Sequence, residues 1–258
     1  MRRTERTGNR PPYPRRLRWG LLLLYEGDIL VVDKPPGLLS VATETEKERT
    51  AYWILREYLR KKGGRERPAA VHRLDRDTSG IMIFAGTGRV KKRLMDHWDE
   101  AILRRSYAAL VEGDMRNGAF KPEEIARGGL IDAPLGEEKS GRVVVMPGGK
   151  PARTRWKLLA AGNGYSLLEL ELETGRRNQI RAHLHHLGYP VAGDKKYNAK
   201  TDPLGRLCLH AAEISLRMPQ AGGPGEILEF RSPVPPSFRL LPEASPAEVV
   251  PRQGRRRV

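Results

Sequence analysis

His72-Arg73-Leu74-Asp75-Arg76-Asp77-Thr78-Ser79-Gly80 runs straight into Ile81-Met82-Ile83-Phe84-Ala85. The first nine residues carry five charged side chains or imidazoles and end in turn-forming residues. The next five are apolar and β-prone, which reads as a buried strand. A polar loop fixed at the mouth of a strand is a usual place for a reactive side chain. Asp75 stands between Arg73 and Arg76, and neighbouring cations favour the ionised carboxylate. Such a carboxylate suits a nucleophile or a base, and not a general acid at neutral pH. Asp77 is expected to cap the turn that Thr78, Ser79 and Gly80 complete. On general grounds an Asp flanked by arginines is more often a surface ion pair than a catalyst. A Ser-His-Asp reading of Ser79, His72 and Asp75 is weak, because no G-x-S-x-G turn surrounds the serine. Nor does His72-x-x-Asp75 extend into a metal-ligand series.

Strands and helices alternate on either side of this loop. Ile29 to Val32 reads as a short strand stopped by Pro35-Pro36-Gly37. Apolar positions 51, 54, 55, 58 and 59 share one helical face, and Gly63 suits the end of that helix. Val90, Leu94, Trp98 and Ile102 mark an amphipathic helix, followed by a strand from Ser106 to Val111. Further strands are expected at 143–146, 156–159, 207–209 and 227–230. Leu168, Leu170 and Leu172 alternate with Glu169, Glu171 and Glu173, a strand with one buried face. Ile180, Leu184 and Leu187 give a helix closed by Gly188. Hairpin-like pairs outnumber βαβ units, so the fold class is α+β with a mixed, largely antiparallel sheet.

A second group of polar residues lies at Thr174-Gly175-Arg176-Arg177-Asn178-Gln179-Ile180-Arg181-Ala182-His183. Arg177 and Arg181 are four apart and share a face if the helix already includes Arg177. Two guanidinium groups there would suit phosphate or a carboxylate. His183, His185 and His186 are close together, but no carboxylate or Cys joins them at ligand spacing, so solvated or RNA-facing histidines are the better reading. Gly193-Asp194-Lys195-Lys196-Tyr197 reads as a basic loop.

The whole chain of 258 residues has 47 Lys plus Arg against 31 Asp plus Glu, a formal net charge of +16. An excess of that size points to a polyanionic partner, nucleic acid first. Solubilising surface charge is the alternative. The single cysteine, Cys208, excludes an internal disulfide and Cys-based zinc fingers, and fits a reducing compartment. It reads as a buried strand residue. No apolar run approaches the ~18 residues of a membrane helix, and no signal-peptide core follows Met1-Arg2-Arg3, so a cytoplasmic protein is expected. Residues 1–16 and 243–258 are Arg-rich and read as flexible basic tails around one catalytic domain at 17–242.

The nine residues at 72–80 closely resemble the signature loop of the RluA-type pseudouridine synthases. Other stretches are similar to that family in the same order: Asp33-Lys34-Pro35-Pro36-Gly37, Ser106 through Gly113, Thr174-Gly175-Arg176 through Arg181 with Gly188-Tyr189-Pro190 and Gly193-Asp194, and Leu209-His210-Ala211. The resemblance covers about residues 26 to 240. It implies an α+β pseudouridine synthase fold with a central basic cleft, and an isomerase that turns uridine in structured RNA, ribosomal or transfer, into pseudouridine. By this resemblance Asp75 is the catalytic aspartate, Tyr107 stacks on the target base and Arg181 pairs with Asp75. Arg73 enters the RNA stack where the uridine leaves. His72, Arg76, Arg177 and Gln179 join Arg73 as expected RNA contacts. The resemblance implies no metal or other cofactor, and a monomer is expected.

Asn178 departs from the pattern, standing where most members carry His, so one RNA contact near the site is in doubt. About 25 residues precede the matching part, too few for an S4-like RNA-binding domain, and accessory recognition is expected from the tails or the cleft rim. A non-catalytic RNA-binding or chaperone protein on the same scaffold is the alternative. A glycosidase-like hydrolase would need a second convergent carboxylate, and none stands out.

Overall fold

The structure, a computed structural model, describes residues 14–118, 120–218 and 225–239. In chain order these form β1 (Arg15–Arg16), β2 (Leu22–Glu26), β3 (Ile29–Lys34), α1 (Ala51–Lys61), β4 (Ala69–Ala70), β5 (Ser79–Ala85), α2 (Gly88–Asp96), α3 (Trp98–Ala101), β6 (Ile102–Glu112), α4 (Pro122–Arg127), β7 (Gly129–Asp132), β8 (Leu135–Glu137), β9 (Val143–Val145), β10 (Arg153–Gly162), β11 (Tyr165–Leu172), α5 (Gln179–His186), β12 (Leu209–Arg217) and β13 (Ile227–Arg231). This is the expected α+β class, with short helices and strands that pair mainly antiparallel.

The described residues divide into two compact units, one within 1–107 and 209–233, the other within 108–208 and 234–258. In the first, the strand order is β1-β2-β3-β5-β12, with β4 also on β5 and β13 on β12. Each of these pairs is antiparallel except β5 with β12, where Ser79 stands beside His210 and Gly80 beside Ala211 in parallel register. Ile29, Val31, Ile81, Ile83 and Ala85 face one core cluster, which Val90 and Leu94 of α2 cover from a single helical face. Leu30, Val32, Met82 and Phe84 on the alternate positions are buried too. That explains why β3 and β5 read as continuous apolar runs instead of alternating ones.

In the second unit β11, β10 and β7 pair antiparallel, and β8 and β9 form a hairpin. Leu168 and Leu170 are buried, while Glu169 and Glu171 are half-buried on the other face. A register shift between Leu158 and Ala160 in β10 leaves Leu159 exposed.

Three expectations need correction. The helix at 90–102 ends at Asp96. His97 leaves helical angles at φ −124°, α3 is one further turn, and Ile102 already opens the long strand β6. The strand expected at 207–209 begins only at Leu209. Cys208 is buried just before it, its N–H bonded to the Ala192 carbonyl and its own carbonyl accepting from Leu110. Burial pushes its thiol up to about 11, so it is an unreactive packing residue at neutral pH. Arg15 and Arg16, assigned by composition to the tail, pair with Leu23 and Leu22. The remaining tail assignments, at 1–13 and 243–258, lie outside the described residues.

Gly80 sits where the parallel pairing of β5 and β12 starts, at φ +108°. A Cβ there would collide with the Ala211 backbone. Gly80→Ala is therefore expected to destabilise the protein by about 2–4 kcal/mol, from backbone strain and overpacking together. Urea denaturation should show this, and a loss below 1 kcal/mol would contradict the assigned geometry.

Candidate active site

Asp75 sits in the turn that leads into β5, and the segment 34–40 grips the backbone on both sides of it. Ser40 Oγ donates to the Leu74 carbonyl at 2.6 Å and accepts from the Leu74 N–H at 3.0 Å. Lys34, with no exposed surface, donates from Nζ to the carbonyls of Leu38 and Arg76, each at 2.8 Å, and of Pro35 at 3.0 Å. The Gly37 N–H reaches the same Arg76 carbonyl at 3.0 Å, from a residue at φ +80° that glycine adopts freely. The Thr78 N–H closes the turn onto the Asp75 carbonyl, while the side chain of Asp77, the expected cap, is exposed. Residues 74 and 76 are thus held by a neighbouring loop, and the aspartate between them inherits that order.

Below the turn runs a buried polar chain. Ser79 Oγ lies 2.8 Å from His210 Nδ1, and His210 Nε2 is 3.4 Å from the Ser232 carbonyl. A carbonyl can only accept, so Nε2 donates there, and in the neutral ring Nδ1 accepts the hydrogen bond of Ser79 Oγ. Ser232 Oγ donates in turn to Asp33 at 2.6 Å. The chain ties β5, β12 and β3 together beneath the loop.

Tyr107 and Arg105 project from the same face of β6, two residues apart. Tyr107 is buried, and burial pushes its hydroxyl above the usual value. The Arg105 charge opposes that shift and the Asp75 charge adds to it. Sequence reasoning missed Arg105, although its i, i+2 relation to Tyr107 was the signal. Arg105 also acts on His72, which burial first and Arg105 second hold down to about 4. His72 Nε2 accepts the Ile83 N–H at 2.9 Å, so the imidazole is neutral and part of the strand framework. The RNA contact expected of His72 cannot use that nitrogen. Arg73 and Arg76 are exposed on the loop.

In the second unit, Arg181 forms a two-pronged pair with Asp194, Nε to Oδ2 at 2.6 Å and Nη2 to Oδ1 at 2.7 Å. Its guanidinium also lies 5.1 Å from the centre of the Tyr197 ring. Asp194 is buried and caps the turn by accepting from Tyr197 N–H, and Tyr197 is fully buried. The stretch read as a basic loop is therefore the anchor of Arg181.

Gln179, expected to touch RNA, is buried with its amide fully engaged. Its Oε1 accepts from Thr174 Oγ1 and Arg176 N–H, and its Nε2 donates to the Arg153 carbonyl and Thr154 Oγ1. It knots the entry of α5 and has no valence left for a ligand. Thr154 passes its own proton to His183 Nδ1, and His183 Nε2 donates to the Ala133 carbonyl. Both nitrogens of this buried histidine are committed to the protein, and burial holds it below its usual value. Arg177 precedes α5, because Asn178 takes left-handed angles at φ 53° and acts as the helix cap. It does not share a helical face with Arg181 and pairs instead with Glu137 at 2.7 Å. Asn is one of the few residues that tolerate this conformation, which suits its presence here.

The chain matches the family model described as RNA pseudouridylate synthase over residues 28–186, more than half of its length. It is 42% identical to an uncharacterized RNA pseudouridine synthase of Chloroflexus aurantiacus, over 69% of this chain and 54% of that one. It is 33% identical to ribosomal large subunit pseudouridine synthase D of Nitrosomonas europaea, over 87% of this chain and 65% of that one. The chain thus spans between about half and two thirds of these two relatives. The solved structure of human RNA pseudouridylate synthase domain containing 1 has the same fold, with a TM-score of 0.65 at 24% identity, covering 93% of this chain and 94% of that one. The chain belongs to the RNA pseudouridylate synthase family.

Ser40→Ala would leave the buried Leu74 N–H and carbonyl without their partner. A loss of about 1–3 kcal/mol is expected in urea unfolding, and no change would remove Ser40 from the clamp. His72 gives a second check. Its folded value, about 4, lies below the ordinary 6.5, so the unfolded chain binds the proton more tightly. Its contribution is complete above pH 6.5 and is lost as pH falls toward 4, on the order of 3 kcal/mol in all. Unfolding of wild type and His72→Gln between pH 4.5 and 7.5 should differ in slope over that window, and parallel curves would refute the buried neutral imidazole.

Proposed function

We propose that this protein isomerises uridine to pseudouridine in a structured RNA, with Asp75 as the essential carboxylate. The observation that carries the reading is the clamped loop. An aspartate whose two neighbours are bonded to Lys34, Gly37 and Ser40, with Tyr107 near enough to feel its charge, is built for position. An ordinary surface ion pair needs none of that support.

The reaction breaks the C1′–N1 bond of the nucleoside, turns the base and joins C1′ to C5; C5 loses a proton to solvent and N1 gains one. Atoms and electrons balance within the nucleotide, so no oxidant, reductant or energy source enters. The carboxylate acts either by bonding to the substrate or by taking a proton from the sugar so that the glycosidic bond opens. Tyr107 offers the ring on which the target base stacks, and its raised hydroxyl keeps it neutral at physiological pH. Arg181 is assigned to the same chemistry by its motif, as the cation that keeps the carboxylate ionised and oriented. Its fixed pairing with Asp194 supplies a guanidinium whose plane is already set. Arg73, exposed on the loop, takes the space the uridine leaves, and Arg76 and Arg177 serve phosphates.

Relatives named for the ribosomal large subunit make its RNA the first substrate to try. The reading includes a monomer working in the cytoplasm. No helix among the described residues is long and apolar enough to cross a membrane.

The deciding experiment is tritium release from RNA labelled at uridine C5, with wild type and Asp75→Asn compared. Wild type should release tritium, whereas Asp75→Asn should fall by at least about 10³-fold while still binding RNA. Equal turnover in the two proteins would remove Asp75 from catalysis. RNA binding by both with no release from ribosomal or transfer RNA would favour the binding-protein alternative.

A further inference from the structure

Trp19 has the wrong backbone for a packing residue. It is 39% exposed and sits at φ 50°, ψ 30°, in the left-handed region that bulky side chains avoid. The bonds from Leu17 N–H to the Leu21 carbonyl and from Leu21 N–H to the Arg18 carbonyl hold it there. Its ring centre lies 5.9 Å from that of Trp53 on α1, at an interplanar angle of 44°. The Arg18 guanidinium is 4.9 Å from the Trp19 ring and 5.5 Å from the Trp53 ring. Beside them Arg15 lies 5.3 Å from the ring of Tyr58.

Among the described residues, the charge of the cluster is only partly compensated. Glu26 answers Lys62 at 2.6 Å, and Glu57 answers Arg56 and Arg60. Arg15 and Arg18 have no carboxylate partner among the described residues. Four more arginines occur among residues 1–13, immediately before this segment in the sequence. An exposed tryptophan backed by a half-buried one, and edged with guanidinium groups that lack a carboxylate partner among the described residues, matches the chemistry of single-stranded nucleic acid, whose bases stack and whose phosphates need cations. Strain kept at an exposed residue is itself a pointer to function.

We propose that Trp19, Trp53, Arg18 and Arg15 form a second RNA-binding surface, which stacks unpaired bases of the substrate RNA and pairs with their phosphates. It rests on the reading of the protein as an RNA enzyme and adds a docking site outside the Asp75 loop. Because every base has a π face, this surface holds RNA without choosing its sequence.

The test uses the full chain and a fluorescein-labelled 12-nucleotide oligoadenylate, which contains no uridine. Anisotropy should show Trp19→Gly binding it about tenfold more weakly than wild type. Glycine accepts the left-handed angles, so the melting temperature should not fall. Arg18→Gln should weaken binding and flatten the slope of log affinity against log salt by about 0.7. On ribosomal RNA both variants should keep the wild-type kcat with a raised KM. Wild-type affinity in either variant, or no oligoadenylate binding by the wild type, would overturn the proposal. If Trp19→Gly melts early, Arg18→Gln decides alone. Failure of the isomerase reading would look different: oligoadenylate binding would still depend on Trp19, with no tritium released from uridine-labelled RNA.

Discussion

A lysine ammonium with no exposed surface holds together the part of this protein that matters most. Burying such a charge is costly unless polar groups replace its water. Lys34 meets that condition with the carbonyls of Pro35, Leu38 and Arg76, two from its own turn and one from the loop that carries Asp75. The desolvation cost becomes a source of specificity, since any shift of the Asp75 loop would strip the ammonium of a partner. Ser40 repeats the device without charge, using one hydroxyl to satisfy both polar groups of Leu74.

The clamp works because the strands beneath it are fixed as well. Gly80 lets β5 and β12 approach so closely that no side chain fits, and the chain Ser79–His210–Ser232–Asp33 crosses below that contact. A parallel pair flanked by the antiparallel pairs β3–β5 and β12–β13 is where the loop needs an added lock. The polar residues at 79, 210, 232 and 33 supply it from the protein's interior.

Much of this was legible in the chain, and what was not has a common cause. The helix 51–61, the strands around 29–34 and 79–85, and the alternation at 165–172 follow from local periodicity and end at Pro, Gly or Thr caps. Asp75 and Tyr107 stood out as members of motifs, and the structure brings Tyr107 within reach of the Asp75 charge. Residues whose roles depend on distant partners were misjudged. Gln179 looks like a polar residue of a binding motif, yet its partners at 153, 154, 174 and 176 absorb its whole amide. Asp194 looks like part of a basic loop, yet it anchors Arg181. Whether Arg177 joined the helix of Arg181 was open in the sequence; Asn178 caps that helix one residue later, and a single left-handed residue is invisible to periodicity. Arg105 went unnoticed because only its i, i+2 relation to Tyr107 marks it, and that relation tells once the strand is known.

The same long-range contacts set the electrical character of the Asp75 surroundings. His72, which sequence alone would leave titrating near neutrality, is held uncharged because burial and Arg105 oppose its proton and a strand N–H occupies its Nε2. Tyr107 is moved the other way by burial. The two groups near Asp75 whose ordinary values come closest to physiological pH are thus displaced in opposite directions. What remains is arginine, which does not lose its proton in proteins. On the loop Arg73 and Arg76 keep their charge, and the rings of His72 and Tyr107 are neutral at physiological pH. Under the proposed isomerase reading, that division is what the target base would meet. Here it is produced by burial, and the clamp of Lys34 and Ser40 keeps the aspartate's backbone in register with it.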